Sequence, residues 1–182
     1  MRLTTIFAPM LLANRKKAEN ISEYIIYMYQ TEMLIRNFEF DIEKIKIHVF
    51  GNIPSEKMSD QDKARNLDWY QSVINQMIQE GLQKEGHLNE VQDEVENLSQ
   101  LSLKLLTHDK LYQSVFNNAR TAIRTNIQAS NGLVKNPIQA CLNGVLGLLI
   151  ARMNGKEIPE EVQDQLEQFG NVLSYLSSKY EP

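Results

Sequence analysis

Six polar side chains on the first long helical stretch are the best placed to do chemistry. Glu19, Glu23, Tyr27 and Gln30 recur at steps of four, four and three and so share one helical face, while Glu32 and Arg36 share another. Carboxylates beside a tyrosine hydroxyl and a guanidinium can line a pocket for a small polar ligand. Glu23, Tyr27, Gln30, Glu32 and Arg36 are therefore the candidate ligand-binding set. The competing expectation is structural. Glu32 stands four residues before Arg36, the order that suits an ion pair, and Ile25, Met28 and Ile35 crowd the same side. The two charges are expected to satisfy each other as a semi-buried pair that performs no chemistry, since an arginine keeps its proton and makes a poor shuttle.

Other chemistries lack their residues. A metal site in a helical bundle needs carboxylates plus a Glu-x-x-His step, and none occurs. His48, His87 and His108 are scattered, without a second His or Cys at ligand spacing, so no metal and no cofactor is expected and each histidine is assigned to the surface or to a cap. Gly144 and Gly147 lie inside a helical run, which makes them no phosphate-binding loop. Cys141 has no basic neighbour to activate its thiol and reads as a small core residue, leaving no catalytic residue to name. A second stripe, Asn117, Arg120, Arg124 and Gln128, could hold a phosphate, but Glu90, Asp93, Glu94 and Glu96 on the preceding helix are expected to pair with its arginines.

The elements that must position these residues read as helices throughout. Apolar positions at three- and four-residue spacing run from Asn14 to Phe38. A short helix follows Asp41, although Ile45, Ile47 and Val49 alternate as a strand would. Ser59 and Asp62 form a capping box for the helix carrying Tyr70, Ile74 and Met77. Gly81 and Gly86 are alternative stops for it, and Asn89 and Gln92 could cap the next, whose seam is Leu88, Val91, Val95, Leu98 and Leu105. His108 and Asp109 interrupt the chain before Leu111, Val115, Ala119, Ala122 and Ile123. Asn136 and Pro137 then open the most apolar helix, and Pro159 opens the last. The expected fold is all-α, a single-domain helical bundle of six or seven helices without significant sheet. It occupies residues 14–182, with residues 1–13 an N-terminal extension or weak signal-like segment.

Composition narrows the partners. With 182 residues, 42% hydrophobic and 23% charged, the chain is ordinary globular material. A net charge of -4 offers no basic field, so no nucleic acid is expected. Gln139, Asn143 and Arg152 interrupt the run Pro137 to Met153, which also falls short of the ~20 apolar residues of a membrane span, so no membrane partner is expected either. On that helix Ala140, Gly144, Gly147 and Ala151 make a smooth face that another helix can approach closely. A single cysteine suits a reducing, cytoplasmic setting, with export through MRLTTIFAPMLL as the minor alternative.

Several segments also resemble a known family. Asn20, Ile21, Ser22, Glu23 and Tyr24, followed by Tyr27, Met28, Gln30, Glu32, Ile35 and Arg36, resemble the opening signature of DUF4924, an uncharacterised all-helical bacterial family found mainly among Bacteroidetes. Gly86, His87 and Leu88 are similar to its middle. Cys141, Leu142, Asn143 and Gly144, then Gly147, Leu148 and Leu149, then Lys156, Glu157 and Ile158, are similar to its C-terminal part. Met33 stands where the family pattern has an acid, and Val145-Leu146 where it has an aromatic residue. The resemblance begins near Met10 and implies an all-α fold and a bacterial source, with no reaction attached. The function expected from all this is that of a non-enzymatic, soluble helical protein acting as a homo-oligomer or on a protein partner. The alternative is a small polar ligand-binding protein or enzyme with its pocket on the first long helix.

Overall fold

The computed structural model describes residues 9–181, and every regular element among them is a helix. In chain order these are α1 (Pro9–Glu19), α2 (Ile21–Asn37), α3 (Ile42–Ile45), a π-helical turn (Lys46–Phe50), α4 (Asp60–Gln79), α5 (Asn89–His108), α6 (Lys110–Ala129), α7 (Pro137–Met153) and α8 (Glu160–Lys179). The all-α class is as expected, but the described residues hold eight α-helices rather than six or seven.

The count differs because the run from Asn14 to Phe38 is two helices. Asn20 stops one and starts the next, its side chain accepting from the Glu23 N–H at 3.2 Å and donating to Glu23 Oε1 at 3.3 Å. That reciprocal cap is local chemistry which an unbroken apolar periodicity conceals. Pro9 to Ala13, assigned to an extension, are the first turns of α1; the signal-like residues before Pro9 lie outside the described residues. The strand-like alternation of Ile45, Ile47 and Val49 is helical as well. Asp41 nucleates α3 by accepting from the Glu43 and Lys44 N–H groups, and the chain then widens into the π turn, which buries Phe50 and exposes Ile47.

Between α2 and α3 the backbone is left-handed at two successive residues that are not glycine, Glu39 (φ 56) and Phe40 (φ 64). Their N–H groups close the end of α2 on Arg36 O and Ile35 O, a geometry in which a side chain is strained. The salt link of Glu39 to Lys44 is exposed and offsets little of this. Glu39→Gly is expected to raise the thermal midpoint by about 2 °C, read by circular dichroism.

The helices gather into two compact units. The first takes the chain up to Glu19 together with Tyr27–Val91; the second takes Asn20–Ile26 and everything from Gln92 onward. In the first unit, α4 turns Tyr70, Val73, Ile74 and Met77 inward, and α1 and α3 pack on it. Asn66, only 1% exposed, ties α1 down by accepting from Met10 N–H at 3.0 Å while donating to Asp62 O. Ser59 caps α4 as its spacing with Asp62 predicts, and Gly81 (φ 73) follows its end in the left-handed conformation such a cap requires.

In the second unit α6, α7 and α8 pack on one another, and α5 contributes Val95, Leu98 and Leu105. Asp109 caps α6 through the Leu111 and Tyr112 N–H groups and accepts from the Tyr175 hydroxyl at 2.8 Å. These donors hold its carboxyl below the usual range, the Tyr112 N–H foremost. Asn136 and Pro137 start α7 as expected. The smooth face of α7 is half used: Ala140 is buried and Phe169 of α8 lies over Gly144, whereas a Cβ built on Gly147 would meet nothing within 4 Å. Cys141 is buried beside them, and that burial pushes its thiol up to about 12, so it is an inert core residue.

Candidate functional site

The five candidate residues fall in both compact units. Glu23 belongs to the second unit, where it completes the Asn20 cap, whereas Tyr27, Gln30, Glu32 and Arg36 belong to the first. The Tyr27 hydroxyl donates to Pro9 O at 3.2 Å. Burial, reinforced by Tyr70, raises its pKa far above the ordinary phenol value, so it is a tether for α1 rather than an acid or base. Gln30 is half-buried on the same helix.

Glu32 and Arg36 are structural, but not as a pair. Glu32 is fully buried, and its two oxygens accept from different partners: Oε1 from the Leu88 N–H at 3.0 Å and Oε2 from His87 Nδ1 at 2.6 Å. Arg36 donates through Nε to Leu82 O at 3.0 Å and through Nη2 to Gly86 O at 2.5 Å. The expected intrahelical ion pair is thus replaced by two independent grips on the loop between α4 and α5. The physical reason is that this loop presents a buried N–H at Leu88, which a buried carboxylate satisfies, and carbonyls at Leu82 and Gly86, which the half-buried guanidinium one turn further on can reach. Glu32 also stands at the start of α5, where free N–H groups and the helix dipole favour an anion. Glu80 does the same for the Asn89 N–H at 2.8 Å. Two acids from outside the helix, Glu32 and Glu80, thus hold the backbone where α5 begins.

His87, expected on the surface or in a cap, is part-buried just before α5. Its ring stacks on fully buried Tyr29, with centroids 3.5 Å apart and planes 20° from parallel, and its side chain is 28% exposed. A carboxylate can only accept, so Nδ1 carries the proton donated to Glu32, and in the neutral ring Nε2 is the nitrogen that holds the lone pair. The signal available in the sequence was the resemblance itself, since Glu32, Arg36, Gly86, His87 and Leu88 all belong to its matching segments and the fold brings them together.

The second polar stripe is not paired as expected. Arg120 and Arg124 stand exposed on α6 without an ion pair among the described residues, while Glu94 accepts from the Tyr180 hydroxyl. No group of three or more His, Cys, Asp or Glu residues that could hold a metal ion occurs among the described residues. No described helix is long and apolar enough to cross a membrane.

Comparison with known proteins gives one family and no individual relative. Neither the curated proteins nor the solved structures contain a match to the chain. The model of the domain of unknown function DUF4924 matches residues 10–182, taking in all eight helices save the first residue of α1, and the chain belongs to that family.

Proposed function

We propose that the protein acts by self-association, two copies meeting across the C-terminal half of α7. The observation that carries this reading is the stripe Leu146, Gly147, Ile150 and Met153, which recurs at helical spacing on the most apolar helix and is left incompletely covered. Leu146 and Ile150 are half-buried, Gly147 is open, and Met153 is 79% exposed. A hollow at Gly147 beside ridges at Leu146 and Ile150 is self-complementary: a two-fold axis there seats the ridge of each copy in the hollow of the other. A second copy therefore fits this face without any further partner. A reducing, cytoplasmic setting and the bacterial source implied by the resemblance accompany this reading; the single thiol, Cys141, is buried.

Light scattering tests the proposal. The native chain is expected to have the mass of two copies at micromolar concentration. Gly147→Glu, which places a charge in the hollow without touching its own fold, is expected to be a folded monomer. A native chain that stays monomeric over a roughly hundred-fold range of concentration contradicts the reading.

A further inference from the structure

We propose that the solvent-facing Nε2 of His87 is a nucleophile that accepts acyl groups from activated esters, with Glu32 as its positioning residue. The inference goes beyond self-association and stands on different residues. The 2.6 Å contact with Glu32 selects, for the neutral ring, the tautomer whose lone pair is on Nε2. Glu32 cannot swing away, because it is fully buried and its other oxygen holds the Leu88 N–H. Tyr29 fixes the plane of the ring, and Arg36 anchors the preceding residue through Gly86 O.

Access to the lone pair follows from the hydrogen-bond inventory. Among the described residues, Nδ1 is the only nitrogen of His87 that is engaged, and no buried side-chain nitrogen or oxygen lacks a partner, so Nε2 meets solvent. An imidazole whose Nδ1–H is held by a buried carboxylate and whose Nε2 is open has the orientation that carboxylate and histidine adopt in acyl-transfer sites. The other two histidines lack it. His48 stacks on Phe38, and His108 hydrogen-bonds the Thr107 hydroxyl.

In the reaction, the Nε2 lone pair forms a bond to the ester carbonyl carbon and the carbon–oxygen bond to the leaving group breaks. The leaving alkoxide or phenoxide departs with the electron pair. Nδ1 keeps its proton, and the Glu32 carboxylate offsets the positive charge that develops on the ring. Water then attacks the acyl-imidazolium and gives up one proton to the departed alkoxide or phenoxide, which releases the carboxylic acid and restores neutral His87 with its proton on Nδ1.

The experiment uses the full-length protein and p-nitrophenyl acetate. Nitrophenolate release is followed at neutral pH, and the site of acetylation is read by peptide mass spectrometry after a rapid acid quench. Acetyl is expected on His87 at least about tenfold faster than on His48 or His108 in the same native molecule. His87→Gln removes the fast phase, and Glu32→Gln slows it by about tenfold while circular dichroism shows the helices intact. Equal labelling of the three histidines in the native protein overturns the proposal, and this comparison decides it even if the Glu32 variant does not fold. A folded Glu32→Gln variant with native labelling of His87 overturns the role given to Glu32.

Discussion

Replacing Glu32 by alanine is expected to cost about 3 kcal/mol of folding stability, measured as the loss of unfolding free energy in urea. Three losses combine. The Leu88 N–H, at a residue with no exposure, is left without an acceptor; the half-exposed His87 loses the partner that orients it; and the start of α5 loses one of the two carboxylates beside it, Glu80 remaining. Glu32→Gln should cost less, because an amide oxygen can still accept from Leu88. A double-mutant cycle should find Glu32 coupled to His87 by about 1 kcal/mol, since those side chains touch, and coupled less to Arg36, which grips the loop through other atoms. A loss of only a few tenths of a kcal/mol for Glu32→Ala would mean that the loop between α4 and α5 is held by something else.

Phe169→Ala should be as damaging, at about 3 to 5 kcal/mol. Phe169 is 2% exposed and covers Gly144 so closely that a Cβ built on that glycine would stand 2.6 Å from its ring. The same contact makes the opposite change harmful: Gly144→Ala is expected to cost about 1 to 3 kcal/mol by overpacking, less whatever alanine returns in helix propensity. Combining Gly144→Ala with Phe169→Leu should recover part of that loss. If Gly144→Ala were stabilising on its own, α7 and α8 would have room to separate and the close approach would carry little of the packing.

How far the sequence could be read depended on how local each interaction is. Helix class, the Ser59 and Asn136 caps, and the inward face of α5 follow from spacing within one or two turns, and they were legible. The break at Asn20 was hidden because its capping atoms sit inside a continuous apolar pattern. The partners of Glu32 were hidden for the opposite reason. Arg36 lay one turn away in sequence and seemed the natural counter-ion, but the groups needing satisfaction were 55 and 56 residues distant, in a loop whose position no periodicity encodes. His87 was assigned to surface or cap on the same ground. The smooth face of α7 was legible as a stripe, yet that Phe169 would fill Gly144 and leave Gly147 open depends on where α8 crosses it.

The claim that two copies meet at Gly147 is tested most directly by a distance between them. Met153→Cys carries a nitroxide, because Met153 is exposed while the native Cys141, with its thiol pushed up to about 12 by burial, stays unlabelled. Met153 lies a few residues beyond Gly147 along the same stripe. At 1.5 Å of rise per residue the two labels stand about 20 to 30 Å apart across a two-fold crossing at Gly147, once the length of the labels is included. Dipolar spectroscopy is expected to show that distance in the singly labelled protein and to lose it in the Gly147→Glu background. Labels more than about 50 Å apart would mean that the copies meet elsewhere, and no coupling between copies would mean that this face does not associate.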